Sequence, residues 1–216
     1  MRSCFKLPLL VLGFGTLLLS ACGSGEAAAA AVVPPAAAVS AETPASYRSG
    51  NLLEDAAALQ AAQDALESLP PFRGRAVNVF GNIDFFGGVR PRIEADIQNP
   101  NRLERIDHYV YDHGRWRYTD TMRIPPEGLD IPQKLTPLSQ VKFADAAGVA
   151  EAWAQKARSV NAVITEPYFV SYVLLGKERK RFWHTAVIEA VGEQYYLSFH
   201  AGGSVWEFKR LGREGQ

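Results

Sequence analysis

Apolar positions recur along this chain at two different spacings, and the switch between them marks the elements. Across residues 51–69, Leu52, Leu53, Ala56, Leu59, Ala62, Leu66 and Leu69 are spaced by threes and fours. That spacing predicts an amphipathic helix stopped by Pro70-Pro71. The spacing then falls to two. Val77, Val79, Ile83 and Phe85 share one side of a strand interrupted by Gly81, and Gly87-Gly88 makes a hairpin turn. The return strand sets Val89, Ile93, Ala95 and Ile97 against Arg90, Arg92, Glu94 and Asp96, as a half-buried antiparallel strand requires. After the turn at Asn99-Pro100-Asn101, residues 105–111 form a third strand, 112–115 a tight turn and 116–119 a fourth strand.

The same order then recurs. Residues 145–159 form an alanine-rich helix, 163–175 a long strand and Gly176-Lys177 a turn; 181–190 and 194–200 continue the meander, and 201–204 turn into 205–209. Asp55-Ala56-Ala57 pairs with Asp145-Ala146-Ala147, Gly87 with Gly176, Gly114 with Gly203, and Trp116 with Trp206, at nearly constant offset. A repeated offset combined with a repeated order of elements points to an internal duplication. The expected class is α+β. Two tandem units, 49–120 and 143–216, each pack one helix on a roughly four-stranded antiparallel sheet, and proline-rich residues 121–142 cross between them. In element order this resembles the tandem helix-plus-sheet modules of secreted beta-lactamase inhibitor proteins, a resemblance of architecture that carries little about function.

Ahead of these units the pattern is different. Arg2 and Lys6 precede a short apolar run, residues 7–19, which leads through small residues into Leu19-Ser20-Ala21-Cys22. The run is shorter than the roughly 20 residues a membrane span needs and has the layout of a secretory signal. Its end resembles the lipobox of bacterial lipoproteins. The resemblance implies a signal at 1–21, cleavage before Cys22, diacylation of the Cys22 sulfur and anchoring to a membrane. Gly23 and Ser24 follow the cysteine, which by the same resemblance implies the outer membrane, facing the periplasm. Residues 23–48 are dominated by Ala, Gly, Ser, Pro and Val with almost no charge, so 22–48 reads as a lipidated cysteine and a disordered tether. As a coil the tether holds the folded part on the order of 30 Å from the membrane, with an extended limit near ~90 Å.

Composition narrows the chemistry. The chain has 23 basic and 23 acidic side chains, and loss of Arg2 and Lys6 leaves 21 against 23. That near-neutral balance argues against a nucleic-acid partner. Cys4 leaves with the signal and Cys22 is taken by lipid, so no thiol remains for a disulfide, a nucleophile or a metal. The four histidines, His108, His113, His184 and His200, have no helical i, i+4 pairing; His108 and His113 flank a hairpin beside Asp107 and Asp112 and read as strand-end and turn residues. Ser139, Ser159, Ser171, Ser198 and Ser204 lack the glycine frame of a nucleophile elbow, and no phosphate-binding glycine loop is present. No catalytic residue, metal site or cofactor is assigned.

Binding chemistry is better represented. Lys177, Arg179, Lys180 and Arg181 cluster at a hairpin beside Phe182 and Trp183, and Arg115 and Arg117 flank Trp116 at another. Basic residues next to aromatics suit an anionic headgroup, an anionic glycan or an acidic protein face. Tyr109, Tyr111 and Tyr196, with Tyr118, Tyr168, Tyr172 and Tyr195, are expected in part on an open sheet face, where tyrosines favour a protein interface. The sequence therefore points to a non-enzymatic, lipid-anchored envelope module that contacts a protein partner. A carrier of a lipid or hydrophobic ligand, and a hydrolase with dispersed carboxylates, remain as alternatives.

Overall fold

The alternating runs assemble into one sheet. In the computed structural model, which describes residues 50–123, 128–175 and 178–212, the strands are β1 (Asn78–Phe86), β2 (Arg92–Gln98), β3 (Ile106–Asp112), β4 (Arg115–Thr121), β5 (Leu135–Pro137), β6 (Phe169–Leu175), β7 (Lys180–Thr185), β8 (Ile188–Ala190), β9 (Glu193–His200) and β10 (Val205–Leu211). All pairings are antiparallel, in the order β10-β9-β7-β6-β1-β2-β3-β4; β5 lies against the start of β1 and β8 against the start of β9. The expected pair of four-stranded sheets is thus a single ten-stranded one, because β1 and β6 pair at its centre. These residues fall within one unit, Glu42–Gln216. The signal, lipobox and tether expectations, and Gly176 and Lys177, lie outside the described residues.

Two helices, α1 (Ala56–Glu67) and α2 (Asp145–Ser159), share one apolar core with one face of the sheet. Leu59, Ala62 and Leu66 of α1 and Ala146, Val149 and Trp153 of α2 are buried there. The helix expected over 51–69 is divided. Leu52–Glu54 form a 3-10 turn, and the Asp55 carboxylate accepts the Ala58 N–H at 2.9 Å to start α1 afresh. A short acidic side chain competing for backbone donors favours such a cap over continuous helix. Gly87 lies under this turn: a Cβ there would stand 2.3 Å from Asn51 Oδ1. No helix among the described residues is long and apolar enough to cross a membrane.

Tryptophans and one glutamine tie the layers together. Trp116 Nε1 donates to the Ala62 carbonyl at 2.7 Å, joining β4 to α1, and Trp153 Nε1 donates to the Ala186 carbonyl at 2.8 Å. The second bond takes Ala186 out of the ladder, and the strand expected over 181–190 is accordingly split into β7 and β8. Buried Gln63 donates to the Val141 carbonyl and accepts from Phe143 N–H, at 3.0 and 2.9 Å, fastening the segment before α2 to α1. Phe85 then meets Phe143 edge-on at 5.0 Å and Trp183 at 5.6 Å.

One further strand expectation and the expected crossover change. The strand expected from residue 163 begins at Phe169, leaving Val163 and Ile164 exposed. Pro167 has no N–H for a central ladder, which delays the strand. Residues 121–142 are not a bare crossover. They hold β5, two 3-10 turns, and Ile131, which with Leu129, Leu135 and Met122 covers Phe80 and Ile106 on the sheet face away from the helices. A bulge between Val79 and Ile83, with Gly81 at φ +72°, sits where the neighbour of β1 changes from β5 to β6.

At the start of β3, Asp107 is buried on the helix side. It accepts hydrogen bonds from Arg105 Nε at 2.6 Å, Asn99 Nδ2 at 2.7 Å and Thr121 Oγ1 at 2.8 Å. Burial opposes its ionisation, but the bonds from Arg105, Asn99 and Thr121 outweigh it and hold the carboxyl below its ordinary pKa.

Candidate binding face

The helices cover one face of the sheet; the other carries its distinctive chemistry across β1, β6, β7, β9 and β10. Register places Asp84, Ser171, His184, Ser198 and Glu207 directly opposite one another in a single row across these five strands. At a strand spacing of about 4.8 Å the row is roughly 19 Å long. The Ser171 hydroxyl donates to the Asp84 carboxylate, and Glu207 pairs with Lys209 at 3.1 Å. The Ser198 hydroxyl is buried and has no hydrogen-bond partner among the described residues.

Aromatic side chains flank this polar row on both sides, most of them two residues away along their own strands and Trp206 one residue away. On one side lie Phe86, Phe169 and Tyr196. Phe86 and Phe169 are 6.3 Å apart, and the Arg92 guanidinium sits 3.8 Å above the Phe86 ring. Phe169 in turn lies 6.3 Å from the His184 ring, and Lys209 Nζ stands 5.6 Å from the ring of Tyr196. On the other side, Val173, Phe182 and His200 are neighbours in register. Trp206 joins them, stacked on His200 at 5.7 Å and edge-on to Phe182 at 6.3 Å, with Lys180 Nζ 3.4 Å from its centroid. Trp206 is 44 % exposed. The result is a polar floor of small and acidic residues between two aromatic walls, with a cation against the end of each wall. Such a floor both donates and accepts hydrogen bonds, and such walls offer flat apolar faces.

Trp206 reaches this face through a bulge. Val205 pairs with Phe199 and Glu207 with Ser198, so one extra residue is inserted between them. The rest of the same sheet face, over β2, β3 and β4, is different in kind. Beyond the apolar patch at Ile106 it carries ion pairs and polar contacts, with Arg92–Glu94 at 2.5 Å, Arg117–Asp112 at 3.1 Å, and His108 Nδ1 2.8 Å from an Asp96 carboxylate oxygen.

The residues selected from the sequence scatter. Tyr109 and Tyr111 are buried against the helices, as is Tyr172, and burial raises the pKa of all three phenols. Trp183 and Trp116 are core residues as well, 0 % and 7 % exposed. Of the seven tyrosines, Tyr109, Tyr111 and Tyr172 are thus interior, Tyr118 and Tyr168 are exposed, and Tyr195 and Tyr196 are part-exposed; alternation turns Phe182 and His184 outward where Trp183 turns in. Arg115 and Arg117 lie on the charged part of the open face. Arg179 is at an exposed turn with φ +47°, and Arg181 faces the other way, its Nε 3.2 Å from Thr136 Oγ1. Lys180, Phe182 and Tyr196 fall at the aromatic walls, and exposed Tyr168 lies 4.8 Å from Phe169; Lys177 lies outside the described residues. Phe182 had been named only as a neighbour of the basic cluster, and Asp84, Phe86, Phe169, His184, Ser198, His200 and Trp206 had not been selected as a binding surface. Their positions in the alternation held part of the signal, and the pairing register held the rest.

Serine, histidine and carboxylate share the row, but the Asp84 carboxylate takes the Ser171 hydroxyl and not the imidazole, unlike a nucleophilic triad, where the imidazole stands between the other two. Among the described residues no group of three His, Cys, Asp or Glu side chains converges as a metal site. No protein-family model, curated protein or solved structure matches this chain.

Proposed function

We propose that this protein is a lipid-anchored, non-enzymatic binding module of the cell envelope, held at the outer membrane facing the periplasm, which engages a partner in the envelope through the sheet face its helices leave open. The lipobox-like stretch ending at Cys22 supports the anchor. The observation that carries the binding role is the aromatic-walled polar row: part-exposed rings and hydrogen-bonding groups concentrated on a face that no described helix covers.

We read the fold as two similar units, 49–120 and 143–216, joined edge to edge. The support is the central pairing: a half-turn about the Asp84–Ser171 pair exchanges Ile83–Tyr172 with Val170–Phe85. Each half contributes one helix and a meander, and 121–142 connects them.

Fractionation and retention test this reading together. The Cys22→Ser protein is expected in the soluble fraction with an unchanged unfolding midpoint, while the parent protein stays with washed membranes. Added back to envelope preparations, the released protein should be retained, and Phe182→Ala combined with Trp206→Ala should lower retention at least fivefold. A Cys22→Ser protein that remains on washed membranes overturns the anchor; equal retention of the double variant overturns the binding face.

A further inference from the structure

Resting on that reading, we infer that the occupant of the row is a neutral saccharide chain, such as the glycan of the cell wall within reach of the tether. The first argument is the order of polar and apolar groups. A protein–protein interface places its apolar anchors at the centre and its polar groups on the rim. Here the order is reversed: Asp84, Ser171, His184, Ser198 and Glu207 form the centre, and Phe86, Phe169, Phe182 and Trp206 flank it. A sugar ring presents the matching arrangement, with hydroxyls around its edge and apolar C–H faces above and below.

A polypeptide fits this surface poorly for a second reason. The face of a sheet offers no free backbone groups, since its N–H and C=O are spent in the ladders, so a peptide laid across five strands would leave its own backbone unpaired. Sugar hydroxyls need only side-chain donors and acceptors, which the row supplies.

Charge points the same way. Asp84 and Glu207 lie toward the two ends of the row, with Glu94 opposite Asp84 on β2, and Arg92, Lys180 and Lys209 stand against the walls, so three carboxylates face three cations and no strong field draws a polyanion. Glu207 and Glu94 are balanced by Lys209 and Arg92, which leaves no strong field to draw a polycation. An uncharged ligand is what remains.

Ser198 gives the independent observation. A buried hydroxyl without a partner is costly, and this one faces into the row between His184 and Glu207. A ligand hydroxyl that enters between the aromatic walls gives Ser198 the partner it lacks.

The experiment measures binding of the released full-chain Cys22→Ser protein to a tetrasaccharide of β-1,4-linked N-acetylglucosamine by titration calorimetry, and to purified cell-wall sacculi by co-sedimentation. Saturable binding to both is expected. Trp206→Ala should weaken it roughly tenfold, the size expected when one aromatic stacking contact is lost. Ser198→Ala should weaken binding several-fold while its unfolding midpoint holds or rises, a combination that a merely structural role would not produce. Saccharide binding that is indifferent to Trp206→Ala overturns the assignment of the row. Retention on envelope preparations through the same residues, without binding to tetrasaccharide or sacculi, overturns the saccharide and leaves a protein partner on that face. Absence of retention and of saccharide binding together overturns the binding face as well.

Discussion

Trp116 and Trp206 occupy corresponding places near the two edges of the sheet. Each is the second residue of its strand and each follows a glycine turn, with Gly114 at φ +78° and Gly203 at φ +83°. Trp116 points to the helices, bonds the Ala62 carbonyl and packs 5.4 Å from Tyr111. Trp206 points the opposite way and stands beside Phe182, His200 and Lys180. The difference comes from one residue. In β4 the pairing runs straight through Tyr111–Trp116, whereas in β10 the extra residue between Val205 and Glu207 turns Trp206 over. Because side chains alternate with a period of two, a one-residue insertion changes the face. The same ring is thus a core residue at one edge and part of the open sheet face at the other.

Four measurements break or sharpen that contrast. The largest effect is expected from Trp116→Ala, which should cost about 3–5 kcal/mol in chemical denaturation, as for other buried aromatics. Trp206→Ala should change stability by less than about 1 kcal/mol. Comparable losses at the two sites would show that the edges are not different in kind. Next, Gln63→Ala removes both bonds to residues 141 and 143 and should cost about 2 kcal/mol, through buried backbone groups left unpaired. A loss below about 0.5 kcal/mol would mean that the segment before α2 holds without α1.

The third concerns the first residues of β3, on the helix side of the sheet. The Asp107 carboxyl is held below its ordinary pKa, so its contribution is present above the unfolded-state value near 4 and is lost as pH falls through the lower folded value. Asp107→Asn should cost about 1 kcal/mol at neutral pH and flatten the acid limb of stability against pH. An unchanged acid limb would remove Asp107 from the account. The smallest effect belongs to the aromatic half: Ser198→Ala should raise stability by up to about 1 kcal/mol, since the hydroxyl it removes has no partner. A clear loss in the same assay would mean that this hydroxyl is satisfied after all.

Much of the element order was legible because each element declares itself by period. The spacing of Leu59, Ala62 and Leu66 marked α1, and the alternation of Ile93, Ala95 and Ile97 marked β2; all six are buried. Which alternate residue turns inward was harder to read. Trp183 stands next to Phe182, and Tyr109 and Tyr111 alternate with His108 and Val110; in both places either set is apolar enough for a core. Tertiary packing chose. Phe72 meets Tyr109 edge-on at 5.4 Å, and Phe85 and Tyr172 close around Trp183. The row on the open face was legible only as far as alternation assigns each residue to a face. Asp84, Ser171, His184, Ser198 and Glu207 are each unremarkable in sequence, and only the registers of four strand pairs bring them into line.

By itself the sequence determined the α+β class, the two helices, most strand positions and the lack of a thiol in the folded part. These follow from periods and composition, which act over a few residues and need no knowledge of what lies across the sheet. Tertiary structure alone decided that the strands form one sheet through the β1–β6 pair, that a bulge turns Trp206 outward, and that five polar side chains stand between aromatic walls. The physical reason is that pairing register and facing are set by contacts between residues far apart in the chain, where no local pattern can express them.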